Sequence, residues 1–261
     1  VNPHVIVVLS AGSAVEMPWI NCCAALVYGC LGGQAAAPAV LNVLSGKVNP
    51  GGKLAETFPV AYTDLPVSQY YPGTEYTAEY REGLYVGYRY TTTTKKEVRF
   101  PFGFGLSYTT FAYSDLTVTD KGAAFKLKNT GDCAGDEVVQ LYISLPGGKV
   151  IRPARELKGF TRVHLEAGEE KAVTIPFDGY TFRYFNVTTN KFEVEGGAYD
   201  ILIAASSEDI RLSGKFEVKG TGAADPYAAG NPARAKLLDC YRTCDVHAVP
   251  DTSFAALLGH P

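Results

Sequence analysis

Residues 100–111 read FPFGFGLSYTTF, and this stretch lies where the sequence pattern of the 261-residue chain changes. Before it, patterns typical of strands and helices alternate. After it, short apolar runs are separated by Gly, Asp and Asn. The change predicts two structural units, which agrees with about 100–200 residues per domain. A hydrophobic content of 46% is enough to form a sizeable core and too high for a disordered chain.

The first unit, residues 1–110, has the pattern of an α/β layer. Residues 5–9 (VIVVL) form a β-branched run typical of a strand that is covered on both faces. Residues 24–28 (AALVY) predict a second strand, and residues 34–44 (QAAAPAVLNVL) predict a helix. This order indicates a parallel-type sheet with helices. Residues 84–90 (LYVGYRY) alternate in polarity and predict a further strand.

The second unit, residues 111–219, is predicted to be all β. Its strand candidates are residues 111–119, 124–129, 138–145, 157–165, 171–176, 191–194, 199–205 and 210–218. Their regular spacing indicates an antiparallel sandwich of the immunoglobulin-like type. A fibronectin type III-like module fits better than an immunoglobulin domain, because Trp19, the one tryptophan, belongs to the first unit.

The remaining residues, 220–261, are predicted to form a linker and tail. Their first seven residues have a linker-like composition, residues 233–244 predict a short helix, and residues 254–258 (FAALL) form a small apolar motif. The chain begins at Val1 rather than at a methionine, and residues 5–9 already have a buried-strand pattern. We therefore expect it to be a piece of a longer protein.

Charge and hydropathy exclude several classes of partner. The net charge is −3 and no cluster of Lys and Arg occurs, so binding to nucleic acid or to an acidic membrane surface is not expected. No apolar run reaches the roughly 20 residues that span a bilayer. Residues 29–33 (GCLGG) do not match the dinucleotide-binding G-x-G-x-x-G pattern, and no cofactor is expected.

The six cysteines bear on metal binding and on compartment. Cys240 and Cys244 could supply half of a metal site with His247, but no second pair of ligands is near, so we predict ordinary thiols and no metal. Unpaired thiols favour the cytoplasm over secretion. Asn186 begins a glycosylation sequon that matters only for a secreted protein, and a turn between strands is the favoured interpretation.

Carboxylates are the candidates for chemistry. A nucleophile motif of the G-x-S-x-G type is absent, and the four histidines (His4, His164, His247 and His260) are scattered. Glu75, Glu79 and Glu82 lie in the tyrosine-rich residues 70–90. Carboxylates among aromatic rings suit sugar chemistry, because the rings accept the apolar face of a sugar. The alternative is that Glu82 only orders the loop.

Several segments occur in an order that resembles one family. They are NPHVIVVL (2–9), MPW (17–19), GGQ (32–34), LSGKVNPGGKL (44–54), YREGLYVGYRY (80–90) and FPFGFGLSYTTF (100–111). Together they resemble the C-terminal part of the α/β sandwich domain of glycoside hydrolase family 3. Residues 129–199 are similar to the fibronectin type III-like domain of that family, through NTG, GDEVVQLY, ELKGF and LEAGE. One departure is Ala35 after Gln34, where the family often has a glutamate.

The resemblance implies a retaining β-glycosidase of the β-glucosidase type, acting on a β-linked glucoside or short oligosaccharide. Retaining chemistry needs two carboxyl groups about 5–5.5 Å apart. In the family the nucleophilic Asp belongs to a barrel, and the acid/base Glu lies upstream of the segment that matches Val1. No residue of this chain is therefore assigned as catalytic. Glu82 matches a recurrent glutamate, and we expect Glu82 and Tyr80 at the rim of the sugar pocket.

The tail resembles the linker of circularly permuted family members, in which the barrel follows the fibronectin-like domain. We therefore expect a fragment that supplies scaffold and pocket rim and is inactive alone. Such a fragment should expose a sheet edge and apolar surface in residues 1–110. The alternative is a stand-alone carbohydrate-binding or adhesion module. Xylosidase, galactosidase and N-acetylglucosaminidase activities also occur in the family, and the fibronectin-like domain favours glucosidase-type members over the N-acetylglucosaminidases.

Overall fold

The first part of the chain forms two small sheets and two helices. The structure is a computed structural model, and it describes residues 2–227 and 232–258. In chain order the elements are β1 (Ile6–Leu9), β2 (Ala25–Tyr28), α1 (Ala36–Leu44), β3 (Phe58–Pro59), α2 (Tyr88–Thr94) and β4 (Val98–Phe100). β1 pairs with β2 in parallel, and β3 pairs with β4 in antiparallel orientation. The predicted strands near residues 5–9 and 24–28 and the predicted helix at 34–44 are confirmed.

Apolar side chains of β1 and α1 lie on the surface of this unit. Ile6 and Val8 of β1 are exposed, and Leu41 of α1 is 63% exposed. α1 contains no buried residue. The β-branched run of β1 predicted a strand that is covered on both faces, and the described residues do not provide that cover. The expected exposure of apolar surface in this unit is confirmed.

The predicted strand at residues 84–90 is wrong. Residues 81–84 form a turn, and α2 begins at Tyr88. Gly83 and Gly87 both have φ of +56°, which interrupts an extended chain. The threonines of α2 are stabilised locally, since the Thr92 and Thr93 hydroxyls donate to carbonyls four residues earlier. The alternating pattern comes from this turn, which buries Tyr85 and exposes its neighbours.

The second part of the chain is an antiparallel sandwich. Its strands are β5 (Phe111–Thr119), β6 (Gly122–Asn129), β7 (Gly135–Ser144), β8 (Glu156–Leu165), β9 (Glu170–Pro176), β10 (Arg183–Asn186), β11 (Lys191–Val194), β12 (Gly197–Ala204) and β13 (Ile210–Val218). One sheet has the order β5-β6-β9, the other has the order β13-β12-β7-β8, and β10-β11 is a separate hairpin. The predicted sandwich is confirmed. Only β10 lacks a predicted counterpart.

The hairpin β10-β11 decides the interpretation of the sequon. Asn186 ends β10 and is fully buried, with its amide donating to the Ala224 carbonyl at 2.9 Å. A buried, hydrogen-bonded amide is not accessible to a glycosyl donor. The interpretation as a turn between strands is confirmed.

The core of the molecule lies between the two sheets of the sandwich. It is built from fully or almost fully buried side chains of facing strands: Ala123, Phe125, Leu127, Val139, Leu141, Ile143, Leu165, Val173, Ile175, Tyr199, Ile201 and Ile203. Complete burial of one large apolar side chain contributes about 1.5–3 kcal/mol. This cluster is therefore the main source of stability in the described structure.

The stretch at residues 100–111 joins the two parts. Gln140 of β7 is buried and donates to the Gly103 carbonyl at 3.1 Å and to the Ala205 carbonyl at 3.0 Å. Gly103 has φ of +79°, and a Cβ there would lie 2.1 Å from the Gln140 side chain. Only glycine fits this close approach. The Ser207 amide donates to the Phe102 carbonyl at 2.8 Å, which adds a backbone link.

The tail contains two helices that fold back on the first part of the chain. These are α3 (Pro232–Thr243) and α4 (Asp251–Leu258), so the predicted helix at 233–244 is confirmed. Val1, residues 228–231 and residues 259–261, with His260, lie outside the described residues. None of the described helices combines the length and the apolar content needed to cross a lipid bilayer.

Candidate functional site

The tyrosine-rich segment that precedes α2 carries the predicted site residues, and residues 70–87 are called the rim loop below. Tyr80 is 77% exposed, and Tyr71 and Tyr76 are also exposed. Glu82 is only 9% exposed. The two predicted rim residues therefore lie in different environments, with the Tyr80 ring in solvent and the Glu82 carboxylate inside.

The Glu82 carboxylate is buried without full hydrogen bonding. Its Oε2 atom has no hydrogen-bond partner among the described residues. A buried acceptor without a donor is costly, by about 1–3 kcal/mol or more for a charged group. Such a group calls for an explanation, such as local strain, a functional role, or a bound water, ion or ligand. Donors such as sugar hydroxyls would satisfy this oxygen.

The other two glutamates of the loop differ from Glu82. Glu79 is engaged by Arg81, whose Nη2 lies 2.5 Å from Glu79 Oε2 and whose Nε donates to it at 2.6 Å. Glu75 is exposed. A retaining acid–nucleophile pair needs two carboxyl groups about 5–5.5 Å apart and free to act on one bond. Because Glu79 is held in an ion pair, the loop does not present it to a substrate.

Arg81 is the residue of this loop that sequence reasoning missed. Its guanidinium is buried, lies 4.5 Å from the Tyr70 ring centroid and 4.8 Å from that of Phe254, and donates to Asp251 at 2.6 Å. Burial opposes its charge, but the ion pairs with Asp251 and Glu79 outweigh burial and raise the pKa of Arg81. The alternation of Glu and Arg at residues 79–82 was a signal that this charge is paired.

The three histidines within the described residues are not brought together. His164 lies on β8, is exposed, and bonds Asp136 Oδ1 at 2.8 Å. His247 lies in the tail, where its Nδ1 is 2.6 Å from the Gln69 amide. His4 is exposed near the start of the chain. Their separation gives no arrangement of base and nucleophile.

The two cysteines of the tail lie in different environments. Cys244 is buried, and burial raises the pKa of its thiol to about 12. Cys240 donates to the Ala248 carbonyl at 3.4 Å. Within residues 2–227 and 232–258, no three His, Cys, Asp or Glu side chains cluster as metal ligands would.

Two family models match the chain. Residues 1–108 match the glycosyl hydrolase family 3 C-terminal domain, and residues 137–207 match the fibronectin type III-like domain. These matches fall on the α/β part and on the sandwich.

Curated relatives are similar over most of the chain. A thermostable beta-glucosidase B of Acetivibrio thermocellus is 47% identical over 229 residues, which is 85% of this chain and 30% of the relative. An exo-alpha-(1->6)-L-arabinopyranosidase of Bifidobacterium breve is 40% identical over 231 residues, covering 86% of this chain and 30% of that protein. The chain therefore spans about 30% of the length of these relatives.

Solved structures agree with this relationship. A beta-glucosidase from Streptomyces venezuelae in complex with D-glucose superposes with a TM-score of 0.80 at 37% identity, over 84% of this chain and 29% of that one. A family 3 beta-glucosidase from Bifidobacterium adolescentis also gives 0.80 at 37% identity, over 93% and 37%. The chain belongs to glycosyl hydrolase family 3, of which it contains the C-terminal domain followed by the fibronectin type III-like domain.

Proposed function

We propose that this chain is part of a retaining β-glycosidase of the β-glucosidase type, which hydrolyses the O-glycosyl bond of terminal β-linked glucosides. The observation that carries this proposal is the 47% identity over 229 residues to a thermostable beta-glucosidase. Similarity to glucose-bound β-glucosidase structures supports glucose as the sugar at the cleaved end. The substrate is then a β-glucoside or a short β-linked oligosaccharide.

In this proposal the chain supplies scaffold and pocket rim, and the catalytic nucleophile and acid/base belong to other parts of the enzyme. Glu82 is the rim group, because its buried Oε2 is an acceptor that lacks a donor. Tyr80, two residues before Glu82 in the sequence, offers an exposed ring suited to stacking on a sugar face. Neither residue is proposed to form or break a bond.

The contacts of the rim loop bear on sugar specificity. Arabinopyranosidases are among the relatives at a similar level of identity to several β-glucosidases. The scaffold alone therefore does not select one sugar. We propose that specificity arises where the rim loop meets the catalytic parts of the enzyme, and that Glu82 contributes a hydrogen bond to a sugar hydroxyl there.

A chimera tests this function directly. The matching segment of the Acetivibrio thermocellus relative is replaced by this chain, and hydrolysis of p-nitrophenyl β-glucoside is measured. We expect an active chimera, and we expect the isolated chain to show no turnover. An inactive but folded chimera, or robust turnover by the isolated chain, would contradict the proposal.

The role of Glu82 is tested in the same chimera. Removal of one hydrogen bond to a charged group costs about 1.5–3 kcal/mol, so Glu82→Gln should lower kcat/KM by roughly 10–100-fold. Glu75→Gln, a change of an exposed glutamate in the same loop, is the matched control and should leave kcat/KM unchanged. Equal values for the two variants would make Glu82 purely structural. Calorimetry with glucose on the isolated chain tests the alternative of a stand-alone binding module, which predicts tight binding without turnover.

A further inference from the structure

The tail is a docked element rather than a free linker. Residues 232–258, called the strap below, comprise α3, a short turn and α4, and they lie outside both family models. The Tyr85 hydroxyl of the rim loop donates to the Tyr241 carbonyl at 2.5 Å, and the Tyr241 hydroxyl donates to the Arg81 carbonyl at 2.6 Å. The two tyrosine rings are stacked with centroids 6.4 Å apart. This reciprocal pair fixes α3 against the rim loop.

The strap and the rim loop share a small buried core. Tyr85 and Tyr90 from the first part of the chain pack with Cys244 and Val246 from the strap, and all four are buried. Gly83 lies under the Tyr241 ring, where a Cβ would come within 3.1 Å of a ring carbon. Tyr241 therefore contacts Arg81 and Gly83, the residues on either side of Glu82 in the sequence.

Arg81 binds the far end of the strap. One of its Nη atoms donates both to Asp251 and to the Val249 carbonyl, at 2.6 and 3.1 Å, and its guanidinium lies between the rings of Tyr70 and Phe254. The carboxylate of Asp251 is 86% exposed. Solvent screens such a pair, so the ring contacts and the carbonyl bond carry much of the attachment.

The strap also contacts the sandwich. Arg242 donates to the Lys149 carbonyl at 3.4 Å and lies over the Tyr227 ring, 5.0 Å from its centroid. The Tyr227 hydroxyl accepts from the Ile151 amide at 2.8 Å. The strap therefore bridges the rim loop and the loop between β7 and β8.

We propose that the strap is a closing element that docks on the rim loop through Arg81, and that its docking holds Glu82 buried and in place. The strap is attached through a small buried cluster and a set of polar contacts, so we expect it to open at lower free energy than the larger sandwich core. Undocking would remove Tyr241 from Glu82 and free the rim loop. The consequence for sugar binding depends on the proposed function, whereas the docking itself does not.

Cys244 reports the docked state in the whole chain. Its thiol is buried in the interface, and at a pKa of about 12 the reactive thiolate is roughly a thousandfold scarcer than for an ordinary cysteine. Cys22, Cys30 and Cys133 are exposed and serve as internal references. Pulse alkylation with iodoacetamide, read by peptide mass spectrometry, should modify Cys244 at least 100-fold more slowly than Cys133.

Substitution of Arg81 or Tyr241 should expose the Cys244 thiol to alkylation. Arg81→Met keeps the aliphatic stem but removes the charge, and it should raise the alkylation rate of Cys244 at least tenfold. Tyr241→Phe, which removes only the hydroxyl bond to Arg81, should raise that rate by a smaller factor. Arg211→Met is the matched control, since Arg211 also pairs with an aspartate and lies over a tyrosine but belongs to the sandwich.

Hydrogen exchange separates undocking from unfolding. The amides of β7 and β12 should stay protected in Arg81→Met, while those of residues 81–90 exchange faster. Rapid alkylation of Cys244 in the unaltered chain would overturn the proposal. So would an Arg81→Met chain in which Cys244 remains as slow as in the unaltered chain. Because alkylation does not measure glycoside binding, either result leaves the proposed function to its own test.

Discussion

The β-sandwich and the α/β part differ in how they use apolar side chains. In the sandwich, alternate residues of β6, β7 and β12 face one shared core and are almost fully buried. In the α/β part, β1 is half-buried at best and α1 buries nothing completely. Both parts contain strongly apolar segments. The difference shows that apolar composition predicts a tendency to be buried, and that the neighbouring elements decide whether burial occurs.

This contrast has an energetic meaning. The buried core cluster of the sandwich is made entirely of residues from 111–219, so we expect most of its stability to come from within that unit. In the first part Ile6, Val8 and Leu41 are exposed, although such side chains are usually buried in a folded domain. We therefore expect the two parts to differ in local stability, with residues 111–219 the more stable unit.

Limited proteolysis gives the largest expected difference. Chymotrypsin should cleave first at the exposed tyrosines of the rim loop, such as Tyr76, and leave a resistant product close to residues 111–219. Phe160 on β8 is an internal control, because it is also exposed but lies in a paired strand. We expect cleavage after Tyr76 to be at least 100-fold faster than after Phe160, since the protease needs a locally unfolded chain. Equal resistance of the N-terminal part to the protease would contradict the expected difference in local stability.

A pair of leucine substitutions measures the same contrast as free energy. Leu141 on β7 is 1% exposed, whereas Leu41 on α1 is 63% exposed. Leu141→Ala should lower the free energy of unfolding by about 2–5 kcal/mol, because it removes buried methyl groups and leaves a cavity. Leu41→Ala should change it by less than about 0.5 kcal/mol. Guanidinium unfolding followed by circular dichroism compares them, and a large loss for Leu41→Ala would show that α1 is covered in solution.

The sequence predicted the sandwich well because its strands repeat a local signal. The candidate runs are apolar or alternate, and the segments between them contain Gly, Asp or Asn; such signals do not depend on distant residues. The hairpin strand β10 was missed because RYFN lacks a clear alternation of apolar residues. The segment at 84–90 was misread because alternation cannot reveal that Gly83 and Gly87 adopt positive φ.

The candidate site was predictable only in part. Residues 79–82 and the neighbouring tyrosines indicated sugar chemistry, and the family resemblance selected Glu82 and Tyr80, which remain proposals. The partners of Arg81 could not be predicted, because Asp251 lies 170 residues away in the chain and its approach depends on the tertiary fold. The unpaired Oε2 of Glu82 is likewise a property of packing.

The hydrogen bonds of Gln140, which join the two parts at residue 103 and are called the joint here, give a smaller expected effect. Gln140→Ala would leave the Gly103 and Ala205 carbonyls without their donor and the Tyr142 hydroxyl without its acceptor. We expect a loss of roughly 1–3 kcal/mol in stability and faster exchange of the Ser207 amide, which bonds to residue 102. Gln34→Ala, at an exposed glutamine before α1, is the control and should be near neutral. An unchanged Ser207 amide would mean that the joint holds without Gln140.

The smallest expected effect concerns the charged surface of the β7-β8 pair, which contrasts with the apolar core that the same strands help to form. Hydrogen bonds that the His164 ring donates to Asp136 and then to Glu166 raise the pKa of His164 above its usual value of about 6.5, and Arg162 and Lys171 share this surface. Because the folded-state pKa is the higher one, protonated His164 stabilises the fold below about pH 6.5, and this stabilisation disappears as the pH rises through the folded-state pKa. His164→Gln should therefore lower the melting temperature slightly at pH 5.5 and not at pH 8.5. A difference of the same size at both pH values would show that His164 acts through packing rather than through its charge.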